Sequence, residues 1–512
     1  MSSEKRPATG LDFGTSTTLV ASPNGVVPIG EVTAWMPSLV GHDEDGVVVV
    51  GEQALDVPEE QMVRSIKRMI TDGRGFVRLE TETGMRDVRA DDLMAEMLRE
   101  AVSRGRAGGQ EMTSQQAIRL GCPAMWDGGQ RRRLVEIAQQ AGLPVTLANV
   151  VDEPVAAGIA WLAGRPAGDD TPMRVLVFDM GGGTLDIAML DVRGANHHDV
   201  SVLAAIGVAE AGDTLDEAIT EDLEYVLAAA GVDIDSLERP RRARARLAYA
   251  AREAKLGLTT EPEVDVKLSR REFGISSVVY RRTLLNEAFA PQMDRAEQYV
   301  GAALRAACLT EMKSGSVTDI LRTPLDTLVE EIDVVVLSGG MSQIPYVAQR
   351  LAQLFPASTR IEMACAPSEN AVALGLAKAG RYGRVNMYRP AFDILLEWDN
   401  KRETRVIYEA YTPLIEPKQF AKSGSELRFV RNGRDLSLPD AGTGRLRLVS
   451  HSGEKMRATL GITGLDGFRV ALSEQKFEFS IYPNGRLRLV DADGTYDGQI
   501  ENWHALQETG NG

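Results

Sequence analysis

Between residues 175 and 190 the chain reads VLVFDMGGGTLDIAML, two apolar runs joined by Gly181, Gly182, Gly183 and Thr184, with Asp179 before the glycines and Asp186 after them. The β-branched, apolar character of both runs predicts two strands, so the glycines form the turn between them. The turn is neither a P-loop nor a dinucleotide fingerprint, because no Gly-Lys-Ser/Thr follows and no helix starts there. Glycines without Cβ let backbone N–H groups converge and let an anion come close, which shapes the turn for a phosphate. A plain tight hairpin with glycines at positive φ fits the same letters, and the motif alone does not choose.

A second stretch repeats the design. TGLDFGTSTTLVAS (9–22) carries Asp12 and Gly14, then Thr15, Ser16 and Thr17, before a further strand. Two such hairpins far apart in sequence point to a duplicated architecture with a phosphate held between two lobes. EIDVVVLSGGMSQIPYVAQRLAQLF (331–355) supplies a strand, a Gly339-Gly340 turn with Met341 and Gln343, and a helix for Ser342 to cap and Pro345 to open. Such a junction suits a nucleoside lying flat on the backbone. VTLANVVDEPVAAGIAWLAG (145–164) and PSENAVALGLAKAG (367–380) open helices rich in alanine and glycine, small enough for close crossing at a hinge between lobes.

Composition narrows the function classes. At 512 residues the chain exceeds one ordinary core, so at least two domains are expected. The net charge of -16 and pI near 5.0 disfavour nucleic acid and anionic membranes. RPRRARARLAYAAR (239–252) reads as one solvated helix face, not a nucleic-acid site. No apolar segment spans a bilayer and MSSEKRPATG lacks a signal-peptide core, so a cytoplasmic protein is expected. Cys122, Cys308 and Cys365 give neither a disulfide framework nor zinc spacing. From about residue 400, short alternating runs with turn signals at Asn432-Gly433, Gly442-Thr443-Gly444 and Asn484-Gly485 predict an antiparallel β-sandwich.

The ordered elements resemble the actin-like ATPase superfamily, and within it the heat-shock-70 chaperones. VRSIKRMITD (63–72) is similar to the family's Lys-Arg segment, LGCPAMWDGGQRRRLVEIAQQAGL (120–143) to its Val-Pro-Ala-x-Phe region, and AGDTLDEAI (211–219) to its Gly-Gly-x-x-Phe-Asp segment. YTPLIEPKQF (411–420) and QKFEFSIYPNGRLRLVDADG (475–494) are similar to strands of the family's β-sandwich peptide-binding domain. The resemblance implies an α/β fold: a two-lobed actin-like ATPase domain with duplicated ribonuclease-H-like halves (1–388), a linker (389–399) and a β-sandwich (400–500). A tail without a helical lid (501–512) is expected after it.

The resemblance also implies ATP or ADP with Mg²⁺ between the lobes. It assigns metal binding to Asp12 and Asp179, and catalytic roles to Lys67 at the γ-phosphate, Glu153, Asp179 and Thr184, with Asp186 nearby. Phosphate contacts fall to Gly14, Thr15, Ser16, Thr17, Gly181, Gly182 and Gly183, and Gly212 joins the nucleotide site. Lys255 matches the family's ribose-contacting lysine, while Arg252 stands where glutamate is usual. Met341 and Gln343 replace a serine and the arginine that covers the adenine ring, and Ser368 replaces an aspartate. The linker segment RPAFDILLEWDN (389–400) fits the family at Asp393 to Leu396 and departs at Glu397 and Trp398, and Pro123 and Arg131 match residues that relay the coupling signal. Two functions follow as expectations. One is an ATP-driven chaperone binding unfolded or extended polypeptide, with a J-domain protein and an exchange factor as further candidate partners. The other is a nucleotide-dependent switch or scaffold for one dedicated partner. A small-molecule kinase of the superfamily ranks third, since no substrate-binding insertion is evident.

Overall fold

A computed structural model describes residues 8–501, apart from 44–45, 59–60, 82–83, 167, 169, 195–196, 313–315, 400, 421–426 and 452–456. The expected tail 502–512 lies outside the described residues.

Two sheets share one plan. In lobe I, Thr9–Phe13, Thr17–Ser22 and Gly25–Val27 form an antiparallel meander, and Ile118–Cys122 and Val150–Asp152 extend it in parallel on the side of Thr9–Phe13. In lobe II, Met173–Met180, Leu185–Arg193 and Asp199–Val208 form the meander, and Val334–Ser338 and Arg360–Met363 extend it in parallel. The same order of antiparallel and parallel neighbours in both lobes is the duplication expected from the two glycine hairpins. Strands of these inner sheets are buried on both faces, as near-continuous apolar runs require.

The lobes meet through two helices. Glu153–Ala163 and Ala371–Lys378 cross so closely that a Cβ on Gly375 would lie 1.7 Å from Ala156 O. Pro154 at the first turn and the alanine content explain both the start of the first helix and its near-total burial.

The C-terminal strands form two antiparallel sheets. One holds Glu403–Tyr408, Phe392–Trp398, Thr443–Ser450 and Arg469–Ala471, and the other runs from Phe429–Asn432 through Glu478–Ile481, Arg486–Val490 and Thr495–Ile500 to Ala458–Leu460 and Thr463–Gly464. Asn484-Gly485 makes the tight turn, with Gly485 at φ 76° and Tyr482 N–H donating to Arg486 O at 2.8 Å. Asn432-Gly433 does not close a hairpin: Phe429–Asn432 pairs instead with Glu478–Ile481, and Gly433 runs against Ser473 O.

The expected linker is corrected by this sheet. Phe392–Trp398 is an inner strand, hydrogen-bonded to Glu403–Tyr408 on one side and to Thr443–Ser450 on the other. The connection lies earlier in the chain, where Gly383–Asn386 adds a parallel strand to the lobe II sheet beside Asp199–Val202. Apolar side chains of the β-sandwich and lobe II share one buried cluster, and Ala410 and Tyr411 join the cluster of lobe I. Among the described residues no helix is long and apolar enough to cross a membrane.

Candidate functional site

The two glycine turns close identically. Gly14 N–H donates to Thr17 O at 3.0 Å, and Gly181 N–H to Thr184 O at 3.0 Å. None of Gly181, Gly182 and Gly183 has φ in the left-handed region, so the plain-hairpin reading does not explain them. Close approach does: a Cβ on Gly182 would lie 2.3 Å from Ser16 Oγ, and one on Gly183 2.7 Å from Thr15 Oγ1. The turns of the two lobes therefore face one another across the cleft, with room kept by the missing side chains.

Below the turns lies a cluster of buried acids. Asp12 is the next-to-last residue of strand Thr9–Phe13, Asp179 lies near the end of Met173–Met180, Asp186 at the start of Leu185–Arg193, and Glu153 opens its helix. Lys67 faces them from the segment after strand Met62–Val63, where Ser65 at φ 53° turns the chain into the short helix Arg68–Thr71. Lys67 and Glu153 form a buried ion pair, and the Trp126 ring lies 5.5 Å from the Lys67 ammonium. Lys67 is thus no solvated charge on an amphipathic helix. Burial disfavours its ammonium, but Glu153 and Asp12 outweigh burial and hold its pKa above the ordinary lysine range.

The carboxyls are shifted upward as well, which for an acid favours the neutral form. Burial, then repulsion from Glu153, raises Asp12 to about 7 against the pull of Lys67. Asp179 is pushed well above the usual range by burial and by Glu153 and Asp186. Asp186 rises to about 7 through burial and Glu153, although Thr184 Oγ1 donates to it at 2.6 Å and Ala124 N–H at 2.6 Å. Four buried acids against Lys67 leave excess negative charge, which a divalent cation is suited to neutralise. Among the described residues no group of three or more acidic, histidine or cysteine side chains encloses a metal point. Asp12 and Asp179 on opposite lobes fit Mg²⁺ held largely through its own water.

A family model described as Hsp70 protein matches residues 8–382. The chain belongs to the Hsp70 family. Chaperone protein DnaK of Thermotoga petrophila is 28% identical over 369 residues, covering 69% of this chain and 56% of that protein. Chaperone protein DnaK of Nitrosopumilus maritimus is 26% identical over 391 residues, 72% of this chain and 55% of that protein. The Cyanidioschyzon merolae protein of the same name is 27% identical over 379 residues, 67% and 57%. The chain therefore spans little more than half the length of these relatives.

The turn expected to meet adenosine is brought against the acid cluster, with Met341 and Gln343 in it. Gly339 takes φ 81°, and a Cβ there would lie 2.3 Å from Met180 O and 2.8 Å from Asp179 Oδ1, so the turn packs directly on the acid cluster. Ser342 does not cap the following helix. Its hydroxyl bonds back to Ser338 O, residues Gly340–Gln343 form a 3-10 turn, and Pro345 alone opens the helix after Ile344. Gln343 Nε2 donates to Glu369 at 2.9 Å, and Met341 is buried. Lys255 is buried, donates to Gly212 O at 3.1 Å and pairs with Asp216 at 2.8 Å. Gly212 and Asp213 in turn donate to Gly181 O and Gly182 O at 3.2 and 2.7 Å, which ties this helix start to the second turn.

Sequence reasoning missed several members. Asp213 accepts from Ser65 Oγ at 3.0 Å and Arg68 at 3.4 Å, bridging the cleft. Asp152, one residue before Glu153, bonds the buried Arg131 and accepts from Asn386 at 3.2 Å. Trp126 is buried, lies over Lys67 and donates to Thr71 Oγ1 at 3.0 Å. The acid immediately before Glu-Pro was a visible signal for Asp152, whereas Asn386 carried none.

Proposed function

We propose that this Hsp70-family chain binds and slowly hydrolyses ATP with Mg²⁺ and couples that cycle to its β domain, which takes unfolded or extended polypeptide. The observation that carries the reading is the pair of facing glycine turns over Asp12, Asp179, Asp186, Glu153 and Lys67. Mg²⁺, when bound, supplies neutralisation of phosphate charge. In phosphoryl transfer a protein chiefly positions groups and balances charge. The backbone N–H groups of both turns would hold phosphate oxygens, and Asp12 and Asp179 would hold the cation. Lys67, kept cationic and fixed by Glu153, faces the terminal phosphate. Glu153 orients water, and the Thr184 hydroxyl, anchored on Asp186, stands beside it.

The coupling part of the proposal is supported by Asp152, which joins the Glu153 helix to Arg131 and to Asn386 on the connecting strand. The β domain offers edge strands at Glu403–Tyr408 and Phe429–Asn432 to which an extended chain could add. J-domain and nucleotide-exchange partners belong to the same proposal. A second reading, a nucleotide-gated switch or scaffold for one dedicated partner, is favoured by Gln343, which is engaged with Glu369 where the resemblance calls for an adenine-covering arginine.

The test is Mg²⁺-dependent steady-state ATP hydrolysis by wild type and Lys67→Ala, with and without an unfolded polypeptide. Slow turnover that the polypeptide raises and the substitution abolishes supports the chaperone reading. Tight ATP binding without turnover or polypeptide effect supports the switch, and no ATP binding at all refutes both.

A further inference from the structure

Arg389 is buried at 2% exposure, yet among the described residues it meets no carboxylate at hydrogen-bonding distance. Its guanidinium donates only to backbone carbonyls: Trp126 O at 2.8 Å and Ala124 O in lobe I, Ala205 O at 3.5 Å in lobe II, and Tyr411 O at 3.1 Å in the β domain. Its buried Nε has no hydrogen-bond partner. Burial, then repulsion from Arg131, lowers its pKa, with Asp152 opposing. A buried cation without a paired acid is costly, and here its satisfaction depends on three separate parts of the fold standing together.

The lobe I carbonyls belong to a segment that already touches the nucleotide cleft. Ala124 N–H donates to Asp186 Oδ1 at 2.6 Å, while the Ala124 carbonyl accepts from Arg389. The two backbone groups of that one residue thus join the acid cluster to the guanidinium. Trp126 lies over Lys67 with its ring and accepts from Arg389 with its carbonyl. On the lobe II side, a Cβ on Gly207 would lie 2.2 Å from Asp186 Oδ1 and 3.1 Å from Met125 N, so the segment sits directly on the strand that supplies Ala205. A shift of residues 124–126 relative to lobe II withdraws two acceptors from Arg389 at once.

We infer that Arg389 is a positioning residue that links the state of the nucleotide cleft to docking of the β domain, by holding carbonyls of lobe I, lobe II and the β domain with one guanidinium. The inference rests on the ATP-binding reading above. It goes beyond that reading in assigning the link to a side chain that contacts no nucleotide. Arginine suits the role because its planar fork reaches several carbonyls in fixed directions, which an ammonium cannot reproduce.

The experiment is hydrogen exchange of the full chain, nucleotide-free and with saturating Mg·ATP, read in residues 392–398 and 403–411. Wild type is compared with Arg389→Met and, where that variant does not accumulate folded, Arg389→Lys. The expected result is a clear ATP-dependent difference in wild type that is lost in the variants, while their ATP affinity stays within about threefold and basal hydrolysis persists. A variant that exchanges faster in both states but keeps the full ATP-dependent difference would mean Arg389 is only structural, and overturns the inference alone. A wild type that binds ATP without any difference in these strands overturns the inference together with the coupling reading. A wild type that binds no ATP overturns the function on which both rest.

Discussion

Gly375→Ala tests the hinge most directly. The added methyl would start 1.7 Å from Ala156 O and 2.4 Å from Ala156 C, both backbone atoms that cannot swing aside. Restoring ordinary contact near 3.4 Å from 1.7 Å requires the helices Glu153–Ala163 and Ala371–Lys378 to separate by about 1.7 Å. Overpacking of this kind costs about 1–3 kcal/mol, and the upper end applies because backbone meets backbone. Alanine returns up to about 1 kcal/mol of helix propensity, leaving a net loss of about 2 kcal/mol. Calorimetry of the full chain should show the lobe transition fall by about 4–8 °C. Gly75→Ala is the control, since nothing lies within 4 Å of its Cβ, and its effect should stay within about 0.5 kcal/mol. Because Glu153 heads the displaced helix, ATP turnover should fall with stability. If Gly375→Ala unfolds like wild type, the helices do not cross at this distance and the small-residue hinge argument fails.

Three further outcomes follow. Asp12 and Asp186, each raised to about 7 chiefly by burial, make the nucleotide-free protein lose stability as pH rises from about 4 through 7, because the unfolded carboxyls ionise first. Asp12→Asn should flatten that slope in thermal scans, and Mg·ATP affinity of wild type should rise between pH 6 and 8 as cation displaces protons. Arg132 grips Asp393 at 3.1 Å and Glu409 at 3.0 Å, so Arg132→Ala should loosen the docked β domain by about 1 kcal/mol, with Asp393→Asn non-additive in a double-mutant cycle. Burial alone would raise the Asp393 pKa, but His451, Ala410 N–H and Arg132 pull it below the ordinary range, so this contribution is full above about pH 4 and lost on acidification through its lowered pKa. Gln343→Arg should tighten nucleotide binding several-fold by calorimetric titration; an unchanged affinity would mean that the base does not lie beside this turn.

The two glycine turns of the candidate site were legible because each is a local unit. Asp12 with Gly14 to Thr17, and Asp179 with Gly181 to Thr184, each occupy one strand-turn-strand unit whose letters dictate the backbone. The duplication was legible for the same reason. What escaped were partners brought in from far away: Asp216 for Lys255, Glu369 for Gln343, Asn386 for Asp152. The misplacement of the linker has a comparable cause. An acid-flanked apolar run such as FDILLEW reads alike as a docking segment and as an inner strand, and only pairing with Thr443–Ser450, some fifty residues downstream, decides. Ser342 failed as a cap because its hydroxyl finds the nearer Ser338 carbonyl first, a competition that capping patterns do not encode.

The parallel strand Gly383–Asn386 determines where this molecule can be divided. The family match stops at residue 382, one position before the strand begins. A fragment cut there would uncover the backbone of Asp199–Val202 along the edge of the lobe II sheet, including the carbonyl of Val202 that receives Met387 N–H at 3.0 Å. A bare edge of that kind recruits other chains. During synthesis the nucleotide lobes would likewise carry an open edge until the ribosome has delivered residues that separate them from the β domain, so completion of the ATPase fold waits on sequence that belongs, by function, to the connection.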